Sequence, residues 1–295
     1  MPEVSIVIIN FNSKNFIRPC LDSIYSQSYQ SFEIIVVDNS SEDGAPGLIR
    51  ESYPGVILIE NKQNLGSCKA RNQGISIAQG EWILTLDCDV VLERDFLKEI
   101  VKSAKKAEAG VGIFQPKILK SNRKNIYSCG ISLSGIRRFR DIGNSKFDKS
   151  QFNKPKLIFG ACSAAALYKK QMLEQIKEET GYFDERFFFL VEDVDLSWRA
   201  QRKGWKALYS PWAICFHSGN SSGCAKKTKQ YLCFRNRYFM ILKNEGFRQL
   251  FSNPFMIAYD AARILYLSLT NRTAMKALKD IADFSNKLRP KKERR

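Results

Sequence analysis

Two aspartates one residue apart, Asp87 and Asp89, follow an apolar stretch that predicts a buried strand over residues 82–86. In an open α/β sheet, ligands bind beyond the carboxyl ends of the strands, and residues i and i+2 of an extended chain point to the same side. Both carboxylates can therefore face one hard cation, Mg²⁺ or Mn²⁺, and its phosphate ligands. Asp-x-Asp pairs are also common on solvated turns, so the pair alone leaves a metal site and a surface turn equally open.

Three other groups of residues could take part in the same chemistry. The two acceptor oxygens of Asp38, which follows another apolar run, suit a pyrimidine N3–H or ribose hydroxyls, and Arg71 lies close enough in sequence to support them. The alternative for Asp38 is a helix N-cap or an Asx-turn. Glu192, Asp193 and Asp195 begin a helical stretch, where the helix dipole alone favours acids. The sole histidine, His217, has apolar and small neighbours, a setting in which histidine is more often structural.

Strands and helices alternate along the first hundred residues. Apolar, β-branched runs predict strands over 4–9, 32–37, 56–60 and 82–86, with helical spacing between them. This alternation predicts an α/β fold with a mostly parallel sheet and helices on both faces. No Gly-x-Gly-x-x-Gly follows the first strand and no Walker loop is found, which disfavours a dehydrogenase or a P-loop ATPase.

The second part of the chain is less regular. A helix over 95–107 and a strand over 111–118 precede a basic stretch over 120–156. This stretch lacks periodicity, and we predict an irregular, mobile region over the site. A further strand is predicted over 205–209, and only helices are predicted from residue 226 onward.

Six short motifs lie along the chain: Asp38-Asn39-Ser40-Ser41, Asn64-Leu65-Gly66, Ala70-Arg71-Asn72 with Gly74, Asp87-Cys88-Asp89, Gly160-Ala161, and Phe183-Asp184-Glu185-Arg186-Phe187-Phe188 leading into Glu192-Asp193-Val194-Asp195-Leu196. Taken together and in this order, they closely resemble the motifs of family 2 glycosyltransferases. The resemblance covers about residues 4–245, and its last block is similar to the rhamnosyltransferase-like branch. It implies a GT-A fold over 1–225, with a nucleotide-binding half to about 110, an acceptor half beyond it, and a C-terminal helical region with a basic tail over 226–295.

The resemblance also implies a role for each site residue. The expected reaction is inverting transfer of a hexosyl or rhamnosyl group from a UDP- or dTDP-linked sugar to a glycan or lipid-linked glycan. Asp193 is expected to be the general base, with Glu192 as second choice, and Asp89 and His217 are expected to hold Mn²⁺ or Mg²⁺, with 218–224 closing over the diphosphate. Expected nucleotide-sugar-binding residues are Asn10, Asp38, Asn64, Gly66, Arg71 and Asp87, and expected acceptor-side residues are Gly160, Ala161 and Asp195.

The charge of the chain points to an anionic partner. The net charge is +17, and residues 1–100 carry 8 Lys+Arg against 14 Asp+Glu, so the basic residues lie mainly in the remaining two thirds. A non-catalytic nucleic-acid-binding scaffold would leave the clustered acids unexplained, since they repel phosphate backbones, and we expect no nucleic-acid partner. A sugar-phosphate nucleotidyltransferase is disfavoured because Asn10-Phe11-Asn12 replaces its glycine-rich loop, and a catalytically inactive relative that scaffolds membrane assembly stays open.

The cysteines and the two ends of the chain bear on its location. Eight cysteines without a Cys-x-x-Cys pair indicate neither a zinc ribbon nor a disulfide framework, so a reducing cytoplasm is expected. We expect no signal peptide, because the N-terminus leads into a short apolar strand without a basic region or a small-residue cleavage site. We also expect no membrane span, because the apolar run over 255–270 is interrupted by Asp260 and Arg263. The basic tail over 287–295 suits the anionic inner face of a membrane. The alternatives are a solvated tail and C-terminal helices that pack on the core or form a homodimer.

Overall fold

A ten-stranded mixed sheet organises the chain and carries helices on both faces. The computed structural model describes residues 1–219, 223–251 and 253–288. The strands are β1 Val4–Asn10, β2 Phe32–Asp38, β3 Ile57–Glu60, β4 Trp82–Asp87, β5 Val90–Leu92, β6 Val111–Lys120, β7 Ile126–Ser128, β8 Ile131–Leu133, β9 Phe139–Asp141, β10 Lys156–Ile158, β11 Ala165–Lys169 and β12 Lys206–His217. The helices are α1 Lys14–Tyr25, α2 Ala45–Ser52, α3 Ser67–Ile77, α4 Phe96–Lys106, α5 Lys170–Ile176, α6 Glu192–Arg202, α7 Lys226–Glu245, α8 Pro254–Thr270 and α9 Arg272–Leu288.

The sheet order is β10-β12-β6-β11-β4-β1-β2-β3, with β5 on β12 and β7 on β6. The four strands of the N-terminal part are parallel to one another, whereas β11 runs antiparallel between β4 and β6. The predicted α/β class is confirmed. Because β1, β2 and β4 are adjacent and parallel, their carboxyl ends meet at one edge of the sheet, where the predicted acids lie.

Each central strand is buried on both faces. In β1, Val4, Ile6 and Ile8 belong to one buried cluster with α1, α2 and α4, whereas Val7 belongs to a second cluster with α3, α5 and α6. Burial on both faces explains why these strands are continuous apolar runs rather than alternating ones. The two helical layers thus hold the strand ends of the site in fixed positions.

Two sequence predictions need correction. The stretch over 120–156 is not irregular throughout: it contains β7 and the β8–β9 hairpin, whose strands of three residues are too short to give a periodic signal. The strand predicted over 205–209 continues to His217, because the ladder between β12 and β6 shifts register between Ser210 and Ile214 and so accommodates Pro211.

The C-terminal helices form a layer beside α6. Helix α7 packs against α6 and α9, and α8 packs against α9. Among the residues that the structure describes, no helix has both the length and the apolar character of a membrane span. The basic tail beyond residue 288 and residues 220–222 of the predicted closing loop lie outside the described residues.

Candidate active site

A cavity of about 490 Å³ lies at the carboxyl edge of the sheet. Its wall combines the ends of β1 and β4, the start of α3, the segment before α6 and the end of β12. Of the predicted site residues, eight contribute to this wall: Asn64, Gly66, Arg71, Asp87, Asp89, Glu192, Asp193 and His217. Residues from five separate motifs therefore meet in one place.

Asp87, Asp89 and His217 form a cluster in which one ligand atom from each lies within 4.8 Å of the others. His217 Nε2 lies 3.1 Å from Asp89 Oδ1 and 3.9 Å from Asp87 Oδ2. The histidine reaches the two acids because β12 pairs with β5 and sets His217 opposite Val90. Two carboxylates and an imidazole form a donor set that fits a divalent cation such as Mn²⁺.

The electrostatics of this cluster follow from its burial. Burial lowers the pKa of His217, but the hydrogen bond and charge of Asp89 outweigh it and the pKa is raised. For Asp87, burial outweighs the attraction of Arg71 and His217, so the pKa of this carboxyl is raised. The backbone N–H of Gly219 donates to Asp89 Oδ2 at 2.9 Å, which ties the chain after β12 to the cluster.

Arg71 is buried between two acids from different parts of the chain. Its Nη2 lies 2.9 Å from Asp87 Oδ1, and its Nη1 lies 2.6 Å from Glu192 Oε1. The expectation that Arg71 supports Asp38 is therefore wrong, because both charged contacts of the guanidinium go to Asp87 and Glu192. This bridge links the predicted donor side to the start of α6.

Asp193 faces the cavity from the first turn of α6. One carboxylate oxygen accepts from the Ser163 N–H at 3.3 Å and the other from the Val194 N–H at 2.8 Å. Burial, with smaller contributions from the charges of Glu192 and Asp141, raises the pKa of Asp193 to about 7. A carboxylate with that pKa can take up a proton at neutral pH.

Asp141, at the end of β9, is a cavity residue that the sequence did not single out. It is partly exposed, and burial raises its pKa despite a hydrogen bond from Ser128. Tyr127 of the same region lies edge-on to His217, with 4.3 Å between ring centroids. Within the basic stretch over 120–156, no spacing signal distinguishes either residue.

Five predicted site residues lie outside the cavity wall that the described residues form: Asn10, Asp38, Gly160, Ala161 and Asp195. Asp38 is buried and accepts from Asn10 Nδ2 at 2.7 Å and from the Ser41 N–H at 2.8 Å. Gly160 lets α6 approach, because a Cβ there would lie 2.1 Å from Ser197 Oγ.

Asp195 joins α6 to α7. Its carboxylate lies 2.9 Å from Arg199 Nε and 2.9 Å from Lys243 Nζ, and accepts from Asn244 Nδ2 at 2.9 Å. Burial would raise the pKa of Asp195, but the charges of Arg199 and Lys243 lower it. The contacts of Asp195 thus run to the helices behind the cavity.

The α/β sheet with acids at its carboxyl edge defines a GT-A-like glycosyltransferase fold, which solved structures share. The mannosyltransferase PcManGT from Pyrobaculum calidifontis, in complex with GDP-Man and Mn²⁺, has a TM-score of 0.58 and 20% identity over 96% of this chain and 80% of its own. GalNAc-T7, with UDP, GalNAc and Mn²⁺, has a TM-score of 0.63 and 14% identity over 82% of this chain and 48% of its own. The sequence family described as glycosyl transferase family 2 matches residues 5–177, more than half of the chain, and the chain belongs to this family.

Curated relatives include a bacterial glycosyltransferase and a bacterial polysaccharide synthase. The glycosyltransferase GlyA of Streptococcus pneumoniae is 26% identical over 211 residues, or 65% of this chain and 29% of its own length. The poly-β-1,6-N-acetyl-D-glucosamine synthase of Staphylococcus aureus is 25% identical over 218 residues, or 72% of this chain and 49% of its own length. The chain thus spans less than half the length of either relative.

Proposed function

We propose that this protein transfers a hexosyl or rhamnosyl group from a UDP- or dTDP-linked sugar to a glycan or lipid-linked glycan, with inversion at the anomeric carbon. The observation that carries the proposal is that one cavity holds both the Asp87, Asp89 and His217 cluster and a carboxylate, Asp193, whose pKa is about 7. The departing diphosphate of the donor needs a cation site, and the attacking hydroxyl of the acceptor needs a base that takes its proton. The family and the GDP-Man and UDP complexes of the neighbouring folds support a nucleotide-sugar donor, and of these the UDP complex of GalNAc-T7 is the one that favours UDP.

Each group in the cavity has a proposed part in the reaction. Asp89 and His217 hold a divalent cation, Mn²⁺ ahead of Mg²⁺ because imidazole suits the softer ion. When bound, that cation neutralises the departing diphosphate. Asp87, held by Arg71, faces the ribose side, and Asp193 takes the proton from the attacking hydroxyl. The donor then occupies the half before about residue 110 and the acceptor the half beyond it.

A thermal-shift panel tests the donor assignment. UDP-, dTDP- and GDP-linked sugars are each added with Mn²⁺, with Mg²⁺ and with EDTA. A ligand that binds only the native state raises the melting temperature, by mass action, so a UDP- or dTDP-sugar should do so with Mn²⁺ and lose its effect in EDTA. Equal shifts with and without the metal would contradict the metal assignment, and a shift with GDP-sugars alone would contradict the donor class.

We further propose that the protein binds the anionic inner face of a membrane through α8. The outward face of this helix is apolar, and Phe255, Leu265 and Leu269 are 77%, 63% and 78% exposed. The described residues of the C-terminal region, over 226–288, carry 12 Lys+Arg against 4 Asp+Glu. Two copies of so basic a surface repel each other, whereas anionic lipid attracts it. An apolar face with basic flanks is typical of an interfacial helix.

Sedimentation with lipid vesicles tests this surface. The protein should bind vesicles that contain phosphatidylglycerol but not pure phosphatidylcholine vesicles, and the triple variant Phe255→Ser, Leu265→Ser, Leu269→Ser should lose binding. Ile57→Ser, at an exposed apolar residue of β3, is the matched control. Unchanged binding by the triple variant would exclude α8, and a concentration-dependent dimer that the same variant abolishes would assign the face to a second copy.

A further inference from the structure

The segment over 187–191, directly before Glu192 and Asp193, has a strained backbone. Phe188 has φ 66° and ψ −57°, and the Phe189 N–H donates to the Phe187 carbonyl at 2.7 Å, which is the rare γ-turn with positive φ. Leu190 and Val191 follow with φ values of 69° and 72°. A β-branched residue such as Val191 seldom adopts this conformation. Such backbone persists only where the surroundings impose it.

Asn236 of α7 supplies much of that constraint. Its side chain is fully buried, and Nδ2 donates to the carbonyls of Phe187, Phe189 and Leu190 at 3.0, 2.9 and 2.7 Å. The amide orientation is set, because Oδ1 accepts from Arg235 Nε at 2.9 Å. The two hydrogens of Nδ2 are thus shared among three carbonyls. The Phe187 carbonyl also accepts the Phe189 N–H within the turn, so Asn236 matters most for the carbonyls of Phe189 and Leu190.

The start of α3 holds the same segment from the other side. The Ser67 hydroxyl donates to the Phe188 carbonyl at 3.2 Å and also lies 3.2 Å from Glu192 Oε1. Gly66 must be glycine for this approach, because its φ is +82° and a Cβ would lie 2.5 Å from the Phe188 ring. The segment is therefore clamped between α3 and α7, and it forms part of the cavity wall.

We propose that Asn236 is a positioning residue, which holds the strained segment so that α6 begins where Asp193 meets the acceptor hydroxyl. Val191 is the last residue before α6, and its carbonyl accepts the Asp195 N–H, so its conformation sets the direction of the helix start. Loss of the hydrogen bond from Asn236 to the Leu190 carbonyl would let the segment relax and would displace the Asp193 carboxylate. A displacement of about 1 Å at a reacting group can lower a rate by on the order of 10²-fold. This inference rests on the proposed function.

The isosteric change Asn236→Asp tests the proposal, since it removes the donors and keeps the shape. The added negative charge lies beside the Arg235 guanidinium, which already donates to this side chain at 2.9 Å and compensates it. We expect kcat to fall by about 10- to 100-fold, while the affinity for the nucleotide-sugar with Mn²⁺ stays within about threefold of wild type, because the metal cluster is untouched. The acidic limb of kcat/KM should also move to lower pH. A relaxed segment exposes Asp193 to solvent, whereas Glu192, Asp141 and Arg71 still face it.

Asn271→Asp is the matched control. Asn271 is also buried, and its Nδ2 donates to the Lys227 carbonyl at 3.1 Å and to Gln230 Oε1 at 3.0 Å, away from the strained segment. The Asn271→Asp variant should have a lower melting temperature than wild type, but the acidic limb of its kcat/KM profile should stay at the wild-type pH. The proposal would be overturned if Asn236→Asp had the kcat of the wild type and an acidic limb of kcat/KM at the same pH.

Two further outcomes separate the positioning role of Asn236 from a folding role and from the assignment of Asp193 as the base. If Asn236→Asp does not fold, Asn236→Ser, which keeps one donor, carries the same test. If neither folds while Asn271→Asp does, Asn236 is a folding residue and the positioning role is rejected. If Asp193→Asn proves fully active, the base assignment fails separately, and Asn236→Asp is still expected to lower kcat because the segment also positions Glu192.

Discussion

Replacement of Asp193 by asparagine should lower sugar transfer by about 10²- to 10⁴-fold and leave Mn²⁺-dependent nucleotide-sugar binding unchanged. The amide keeps the shape of the carboxylate, but it cannot take a proton from the acceptor hydroxyl. In the wild type, kcat/KM should fall below pH 7 as the carboxylate becomes protonated, because the pKa of Asp193 is about 7. Single-turnover assays and calorimetry on the same preparations measure the two effects separately.

The stability of the same variant provides an independent check. In the unfolded chain the carboxyl ionises near a pKa of about 3.9, whereas in the folded protein burial raises the pKa to about 7. The cost of ionisation to the folding free energy therefore grows as the pH rises from about 4 to about 7 and is complete above pH 7, and asparagine avoids that cost. We expect the free energy of unfolding of Asp193→Asn to exceed that of the wild type by about 1 to 4 kcal/mol at pH 8. This difference in stability should disappear towards pH 4.

The control for Asp193 is its neighbour. Glu192→Gln removes a charge that Arg71 already compensates, at 2.6 Å, so it should affect transfer less than Asp193→Asn does. Near-normal turnover in Asp193→Asn together with a large loss in Glu192→Gln would move the base to Glu192. A loss of donor binding in Asp193→Asn would show that this carboxylate serves the donor instead.

The sheet and its acids could be predicted from sequence because their signals are local. A buried strand is a short apolar run, and the residues that end β2 and β4 follow such runs directly. Parallel pairing then brings Asp38 and Asp87 to one edge without further information. The rhamnosyltransferase-like branch has no such local signal in the structure and stays a proposal.

The connections between these residues could not be predicted, because they join distant parts of the chain. The ion pair of Arg71 with Glu192 spans 121 residues, and the contacts of Asn236 with the strained segment run between a helix and a turn of irregular shape. Asp141 lies in a three-residue strand, too short for periodicity to reveal. All three arrangements are made by tertiary packing between distant segments, and only the folded structure contains that packing.

Replacement of Asp89 by asparagine should abolish the dependence of donor binding on the metal. Asp89 is buried, and its Oδ1 lies 3.1 Å from His217 Nε2. Asparagine can still accept from the Gly219 N–H, so the local fold should survive, but the negative charge is lost. Changes to outer-shell residues of metal sites cost about 10- to 100-fold, so removal of a direct ligand should lower transfer by more than about 10²-fold.

Three comparisons make the Asp89 experiment specific. Wild type in EDTA should match Asp89→Asn in calorimetric affinity for the nucleotide-sugar, and the exposed control Asp95→Asn should match the untreated wild type. Asp87→Asn should retain metal dependence with weaker donor affinity, because Arg71 holds Asp87 and the proposed role of this carboxylate is to face the ribose side. Undiminished metal-dependent binding in Asp89→Asn would exclude Asp89 as a ligand. If Asp87→Asn instead abolished that dependence, the two aspartates would exchange roles, and the cation would lie nearer to the end of β4 than to β5.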